Sequence, residues 1–299
     1  MILVVGATGM LGLEICRRLR ASGSGVRALV RPESGNAGAL RDLGVEMSPG
    51  DLRHPDTVAR ACEGASAVIS TATAMGATDR HLTLRDIDGL GQQTLVKLAV
   101  SSGVQHFVFI SVPPHLRPTA PLVRYKRAVE AALQTSAMRW TILQPSVFME
   151  VWLSSLLGWD VGAGVATVAG NGRGPMTWIS VADVAEYAVR SLTESRLVNR
   201  EMQLGGPERL SPADVVRIFE DVARRPFRIK RVPAGLLGLL APAVALFNEG
   251  AASGMSLMAQ SAPGETLDLT LQRELGLPLT TVRRYAERIV AGTIDARGK

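Results

Sequence analysis

The sequence predicts an α/β fold, a doubly wound parallel sheet with a smaller C-terminal lobe. In the first half, short apolar runs alternate with segments of helical periodicity, which is typical of βαβ units with right-handed crossovers. A glycine-rich turn follows the first of these runs directly. The length of 299 residues allows one large domain or a domain with a sizeable lobe.

Composition narrows the class further. Hydrophobic residues make up 46% and charged residues 20%, which excludes an intrinsically disordered chain. The two cysteines, Cys16 and Cys62, exclude a disulfide framework and fit a reducing compartment. The net charge of +6 is spread along the chain with only short basic clusters, which argues against a nucleic-acid partner.

The first half contains six predicted strands with helices between them. The strands are predicted at 2–5, 26–30, 45–47, 67–70, 106–111 and 140–143. Leu11, Ile15 and Leu19 form one apolar stripe of a first helix, and later helices are predicted around Val58, Leu95 and 126–133.

The second half has a looser pattern. An apolar helix within 147–157 precedes the glycine-rich 158–174, which predicts turns around a short strand. Further elements are predicted as strands at 175–179 and 202–204, a helix from Val181, a helix capped by Ser211 and Pro212, and a last helix at 280–291. We therefore expect a dinucleotide-binding domain at 1–150 that also takes elements from 175–205, and a substrate lobe mainly at 151–299.

The start of the chain has no basic region and only a short apolar run, so no signal peptide is predicted. The most apolar stretch, 232–247, is shorter than a membrane span and contains Pro233 and Pro242. We expect a soluble cytoplasmic protein without an integral membrane span. The stretch itself is a candidate for a membrane-surface contact, a protein-partner surface or a substrate lid.

The strongest chemical signal is the spacing Gly6-x-x-Gly9-x-x-Gly12 between the first strand and the first helix. Glycines there permit a tight turn, close approach to a pyrophosphate and close packing of helix on strand. The helix N-terminus offers N–H groups to the phosphates. The pattern predicts a Rossmann-type fold that binds a dinucleotide through Gly6, Thr8, Gly9, Met10, Leu11 and Gly12; the alternative is a tight turn without a ligand.

The end of the second strand indicates which dinucleotide is preferred. An NAD site usually places an acidic residue there for the ribose 2′-hydroxyl, whereas this strand ends before Arg31. A guanidinium suits a 2′-phosphate, and Ser34 adds a hydroxyl. We therefore predict NADP(H) over NAD(H); the alternative is that Arg31 is a solvated surface residue.

Several segments together resemble one known family. They are GATGMLG at 6–12, LVR at 29–31, GDL at 50–52, HFVFIS at 106–111, YKRAVEAAL at 125–133 and WTILQPSVFME at 140–150. The chain resembles an atypical short-chain dehydrogenase/reductase of the NmrA-like group, which is related to isoflavone and phenylcoumaran benzylic ether reductases. The resemblance covers nearly all of 1–150 and is weak beyond it.

The resemblance implies roles for residues at the carboxyl ends of the strands, where ligands bind in open α/β sheets. Asp51 and Leu52 are expected at the adenine, and Thr71, Ala72 and Thr73 at the pyrophosphate and ribose. Ser111 occupies the position of a catalytic-site serine in many relatives. The residues expected to face the nicotinamide are Gln144, Pro145, Ser146 and Val147.

Lys126 is the main candidate for chemistry. Typical short-chain dehydrogenases pair a Tyr with a Lys four residues later, but the position here is Leu122, and the adjacent Tyr125 points elsewhere. In the benzylic ether reductases a lysine alone acts as general acid/base, and this role requires a pKa lowered toward neutrality. Lys126 is thus predicted to bind the cofactor, to transfer a proton, or both; the alternative is a plain surface lysine.

Other residues carry weaker predictions. His115 lies in a proline-rich loop near the expected substrate entrance, and an apolar pocket or an ordinary core is predicted from Phe148, Met149, Trp152 and Trp178. The scattered histidines predict no metal site.

The sequence thus favours an NADPH-dependent oxidoreductase acting on a small, partly apolar carbonyl, quinone or similar electrophile. The alternatives are a non-catalytic NADP-binding redox sensor or assembly and regulatory protein, for which the absent Tyr argues, and a sugar-nucleotide epimerase, against which Leu122 argues.

Overall fold

The computed structural model describes residues 1–32, 34–77, 79 and 81–292. Within them the chain forms two compact units. The first contains Met1–Val112, Pro121–Gln144 and Val184–Met202, and the second contains Pro113–Ala120, Pro145–Asp183 and the chain from Gln203 onward. The predicted boundary at residue 150, between a dinucleotide-binding domain and a substrate lobe, stays a prediction.

A seven-stranded sheet consists of β1 (Ile2–Val5), β2 (Val26–Val30), β3 (Glu46–Pro49), β4 (Ala67–Ser70), β5 (His106–Ile110), β6 (Arg139–Pro145) and β8 (Arg200–Leu204). Its strand order is β3-β2-β1-β4-β5-β6-β8, and β1 to β6 pair in parallel. This order reverses between β1 and β4, as in a doubly wound dinucleotide-binding sheet. The predicted fold class is therefore confirmed.

The helices of the first unit connect these parallel strands. They are α1 (Met10–Ala21), α2 (Ala37–Asp42), α3 (Pro55–Cys62), α4 (Gln92–Ser101), α5 (Pro121–Gln134) and most of α7 (Val181–Arg190). A π-helical segment, Arg85–Gly91, runs directly into α4. Every residue of β4 and β5 is buried, because both faces of the sheet are covered.

The second unit has its own core and a small parallel sheet of β7 (Val165–Ala169) and β9 (Arg228–Val232). Its helices are α6 (Met149–Trp152), α8 (Pro212–Ala223), α9 (Ala234–Ala245), α10 (Glu249–Ser261), α11 (Thr270–Leu275) and α12 (Val282–Val290). The core is aromatic: Trp159 meets Phe219 edge-on at 5.5 Å, and Phe227 packs on the same ring. The predicted cap of α8 is a full capping box between Ser211 and Asp214.

The strand predicted at 175–179 is wrong. Only isolated bridges occur there, at Met176 and Ile179. The reason is a side chain, because the Thr177 N–H donates to the carboxylate of Glu265 at 2.9 Å instead of to a neighbouring strand. Among the described residues no helix is long and apolar enough to cross a membrane.

Candidate functional site

The switch point of the sheet brings the glycine-rich loop after β1 beside the loop after β4. Val5 pairs with Ser70, the last residue of β4, and the Thr71 N–H donates to the Val5 carbonyl at 2.9 Å. Ligands in open α/β sheets bind in the crevice at this position. The sequence-predicted Gly6, Thr71 and Ala72 are thus brought together within the first unit.

Glycine is required in this loop by geometry. Gly6 has φ +86°, and a Cβ there would lie 2.6 Å from both the Ala72 nitrogen and the Thr71 Oγ1. A Cβ on Gly12 would lie 2.2 Å from the Gly6 carbonyl oxygen. Gly6 therefore packs directly on the Ala72 backbone and the Thr71 side chain, and neither Gly6 nor Gly12 has room for a side chain. Such a cradle fits a pyrophosphate.

The N-terminus of α1 completes this cradle. Gly9 is the N-cap residue, and in the described chain no side chain caps this end and no acidic residue lies in the first turn. Thr8, Gly9, Met10 and Leu11 all keep partial or full solvent exposure. The first N–H groups and the helix dipole therefore favour an anion at this point.

Two guanidinium groups lie near the end of β2. Arg31 directly follows the strand, and its charge acts on the Asp51 carboxylate, which accepts hydrogen bonds from the Arg53 side chain at 2.8 and 3.0 Å. Burial acts to raise the pKa of Asp51, but the hydrogen bonds and charge of Arg53 outweigh it and lower the pKa. The Asp51 carboxylate is thus neutralised locally, while the charges of Asp79 and Asp86 also act on Arg53.

Sequence reasoning missed Arg53. Its signal is its position, because it directly follows the predicted adenine pair Asp51-Leu52. The Ser34 N–H donates to the Arg31 carbonyl at 3.1 Å, so these two predicted residues contact each other through their backbones.

Lys126 lies on the buried face of α5. Its Nζ donates to the Ile110 carbonyl at 2.9 Å, lies 3.9 Å from the Asp88 Oδ1 and stands over the Phe109 ring at 4.7 Å. Burial lowers the pKa of the amine, while the charges of Asp88 and Glu130 act to raise it. The ring face also favours the ammonium form. The structure therefore places a lysine of shifted pKa at the carboxyl end of β5.

Asp88 is the second functional candidate that sequence reasoning missed. Its Oδ2 accepts from the Ala74 N–H at 2.8 Å, while Oδ1 is buried without a hydrogen-bond partner among the described residues. Burial raises the pKa of this carboxyl, and the charge of Lys126 opposes the rise. A buried carboxylate oxygen without a hydrogen bond is costly, and its position beside Lys126 makes Asp88 a candidate functional residue. The signal was an acidic residue inside the apolar and glycine-rich 87–91.

The π-helical segment explains how Asp88 reaches this position. Such segments are rare and frequently occur at functional sites. Directly after it, Gln92 accepts from the Ser70 hydroxyl at 2.8 Å and donates to the Ala72 carbonyl at 3.0 Å. Asp88 and Gln92 together hold the loop 71–74, which contains the predicted Thr71, Ala72 and Thr73.

Ser111 and Gln144 meet around a different carboxylate. The Ser111 hydroxyl donates to the Glu130 Oε1 at 2.5 Å, and the Gln144 amide donates to the same oxygen at 3.2 Å. The Arg127 guanidinium forms an ion pair with Glu130, with 2.7 Å between its Nη1 and the Glu130 Oε1. The hydroxyl proton of Ser111 is therefore engaged in this network.

In the second unit, Glu265 connects several polar groups. Its Oε1 accepts from the Ser146 hydroxyl and from the Thr177 hydroxyl, the latter at 2.9 Å, while its Oε2 lies 3.8 Å from His115 Nε2. Ser146 lies between the buried Pro145 and Val147, the other predicted nicotinamide-facing residues of this unit. Glu265 therefore holds the 145–147 segment and orients His115.

The predicted apolar substrate residues lie in or beside the core of the second unit. Met149 and Trp178 are buried in the core of the second unit, Trp152 packs against that core, and Phe148 is half-buried. Trp152 and Trp178 line a cavity of about 30 Å³, which holds about one water molecule. This cavity is too small for a substrate. A larger one of about 330 Å³ is lined by Thr177, Arg209, Thr266 and Gln272 and by none of the predicted substrate residues.

The fold and the glycine cradle define a protein of the Rossmann-type dinucleotide-binding class. The sequence matches the NmrA-like family over residues 1–262. It is 29% identical to the NAD(P)H azoreductase of Xenophilus azovorans, covering 96% of this chain and 97% of that protein. It is also 29% identical to the photosystem II assembly factor Ycf39 of Trieres chinensis, over 83% and 77% of the two chains.

A solved structure shows the same fold. The triphenylmethane reductase of Citrobacter sp., complexed with NADP(H), superposes with a TM-score of 0.76 at 21% identity, over 96% of this chain and 99% of that one. Because the family match spans most of the sequence, the chain belongs to the NmrA-like family. The resemblance predicted from the first 150 residues is confirmed.

Proposed function

We propose that the protein is an NADPH-dependent oxidoreductase acting on a small, partly apolar carbonyl, quinone or similar electrophile. The observation that carries the proposal is the main-chain cradle at the switch point, where Gly6 packs on Thr71 and Ala72 beside the uncapped α1. The reductase names of two relatives, one an azoreductase and one a triphenylmethane reductase, support it.

The preference for NADP(H) is supported by charge. Arg31 follows β2 in place of an acidic residue, and Arg53 adds a second guanidinium near Asp51. A 2′-phosphate gains charge-assisted hydrogen bonds from guanidinium groups, whereas a 2′-hydroxyl does not gain comparably.

When bound, the nicotinamide supplies a hydride to the electrophile. The chain's own residues would then have separate tasks: Gly6 to Gly12 would hold the pyrophosphate, and Thr71 to Thr73 would hold the adjoining ribose. Lys126 would hold the nicotinamide ribose. Its burial-lowered pKa makes its ammonium a ready proton donor to the substrate oxygen. The charge of Asp88 opposes the effect of that burial on the pKa and so favours the protonated amine.

The experiment is a paired titration of the purified protein with NADPH and NADH, read by tryptophan fluorescence. We expect tighter binding of NADPH, and Arg31→Ala should weaken NADPH binding about tenfold or more while leaving NADH binding nearly unchanged. The matched control is Arg60→Ala, which removes an exposed arginine of α3 in the same unit. Equal binding of the two cofactors by the wild type contradicts the assignment of Arg31.

Turnover is tested next with NADPH and a panel of quinones, aldehydes and azo dyes, following nicotinamide absorbance. Lys126→Ala should abolish turnover, and Lys126→Arg should restore cofactor binding but not proton transfer. Full activity of Lys126→Ala would reject the proton-transfer role.

A second candidate function is an NADP-binding protein that serves in assembly or regulation without turnover. Leu122, at the position of the usual Tyr, is buried on α5, and the Ser111 proton is engaged by Glu130. The similarity to an assembly factor supports the same view. Tight NADPH binding together with no oxidation of NADPH across the whole substrate panel would favour this candidate.

A further inference from the structure

One segment of the second unit exposes an unusual amount of apolar surface. In α9 and the two residues after it, Leu239, Leu246 and Phe247 are 76%, 81% and 90% exposed. Leu236 and Leu240 are exposed as well. Half of the exposed large hydrophobic side chains in the described part of the chain thus lie within twelve residues. Contiguous exposed apolar surface of this kind marks an interaction site.

The exposed side chains form one face of α9. Leu236, Leu239, Leu240 and Ala243 follow the spacing i, i+3, i+4, i+7 of a helical stripe. The opposite face packs on α10, where a Cβ on Gly238 would lie 3.6 Å from the Ala259 Cβ and Ala241 is buried. A helix that is apolar on all sides is normally buried, so the outward face of α9 needs an apolar environment.

The segment that leads into α9 is strongly basic. It contains Arg224, Arg225, Arg228, Lys230 and Arg231, all of them exposed. No acidic residue lies between Asp221 and Glu249, so the positive charge is not compensated along this stretch. Arg231 precedes α9 by three residues, which sets the charges at one end of the apolar face.

We infer that the outward face of α9, with Leu246 and Phe247, inserts into the interfacial region of an anionic lipid bilayer, and that segment 224–231 binds the headgroups. A basic segment joined to an apolar helix is the combination that binds anionic membrane surfaces. The helix is about 18 Å long, which is too short to cross the hydrocarbon core, and it therefore lies in the plane of the interface.

A lipid fits this face better than a protein partner. Protein interfaces carry about one hydrogen bond per 100–200 Å² and use Tyr, Trp and Arg as anchors. Residues 232–247 contain no side chain that donates or accepts a hydrogen bond. Lipid acyl chains require a surface without hydrogen-bonding groups. A specific protein interface would lack its usual side-chain hydrogen bonds on this surface.

The test is flotation of the purified full-length protein with vesicles of phosphatidylcholine alone and of phosphatidylcholine with phosphatidylglycerol. We expect binding only to the anionic vesicles and a decrease in binding with added salt. The double variant Leu239→Ser with Phe247→Ser should lose binding at least tenfold. The double variant Arg228→Glu with Lys230→Glu should bind the anionic vesicles more weakly, by about fivefold or more for each positive charge removed.

The matched control is Leu156→Ser, which replaces another highly exposed leucine of the same unit and should bind as the wild type does. Thermal unfolding of each variant checks that the fold is intact, as expected for exposed positions. Absence of wild-type binding, or unchanged binding by the Leu239→Ser, Phe247→Ser variant, overturns the inference. The inference is also overturned if sedimentation shows that the wild type self-associates, that this variant is monomeric, and that neither protein binds vesicles.

Discussion

At the residue scale, the crevice of the first unit depends on glycines, because neighbouring atoms occupy the space that a side chain would need at these positions. Gly6 combines a positive φ with contact to Thr71 and Ala72, whereas Gly23 has a similar φ of +77° with nothing within 4 Å. A substitution at Gly23 therefore measures the cost of the backbone conformation alone. A substitution at Gly6 adds the cost of a side chain that enters the crevice.

We predict that Gly6→Ala abolishes NADPH binding, because the new methyl group displaces the loop after β4. Gly23→Ala pays only the conformational cost of about 1 kcal/mol and keeps wild-type affinity. The measurement is NADPH titration together with the thermal midpoint of each variant. Equal losses of affinity in both variants would show that backbone strain, and not the crevice, is responsible.

A second prediction at this scale concerns Asp88 and Lys126. Asp88→Asn keeps a side-chain oxygen for the Ala74 N–H but removes the charge that raises the pKa of Lys126. Any process that needs the ammonium is lost as pH rises through this pKa. The variant should therefore lose NADPH binding or turnover at a lower pH than the wild type does.

The pH profile of cofactor binding measures this effect, with Asp56→Asn as the control because Asp56 is exposed in the first turn of α3. A profile of Asp88→Asn that coincides with that of the wild type would mean that Asp88 acts only through the loop 71–74.

At the scale of elements, buried carboxylates join segments that are distant in sequence. Glu150, on α6, accepts from the Val181 N–H at 3.0 Å and so anchors the start of α7 within the second unit. Burial, with a smaller effect from Asp183, raises the pKa of Glu150 from 4.5 to about 7. The folded chain thus holds a proton here that the unfolded chain releases near pH 4.5.

Because the folded pKa lies above the unfolded one, the stability associated with Glu150 is greatest below pH 4.5 and is lost as pH rises to about 7. We predict that Glu150→Gln removes this loss, so that the variant gains up to about 3 kcal/mol relative to the wild type between these pH values. Urea unfolding across the range measures it, and the exposed Glu287→Gln should show no such trend. A difference that is constant with pH would contradict the assignment.

Sequence patterns predicted elements well where periodicity was local. The strands 2–5, 26–30 and 67–70 match the structure, because each is a short apolar run bounded by polar or glycine residues. Patterns were weak for α10, whose small residues lack a clear stripe, and wrong at 175–179, where Glu265 from a distant segment takes the Thr177 N–H.

At the scale of the whole molecule, both cysteines are internal to the first unit. Burial raises the pKa of Cys16 to about 12 and of Cys62 to about 11, the latter against a smaller effect of Arg27. Both thiols are fully buried. Since the thiolate is the reactive form, we predict that neither is alkylated in the native protein at pH 8.

Iodoacetamide labelling followed by mass measurement tests this. Both thiols should react readily in denaturant, and the slow native rate should track global opening of the first unit. Rapid labelling of one thiol under native conditions would reveal local opening around α1 or α3, the helices that hold Cys16 and Cys62.

The sequence by itself predicted the parallel sheet and the glycine-rich turn after its first strand, because these depend on residue types at short, regular spacing. It also predicted a role for Arg31 from its position after the second strand, and a role for Lys126 from the resemblance to the NmrA-like group. Only the tertiary structure disclosed Asp88 beside Lys126 and Glu265 beside Ser146, since these contacts join residues 38 and 119 positions apart. Only it showed that the apolar 232–247 turns one face outward, because burial of a helix face depends on which neighbours pack against it.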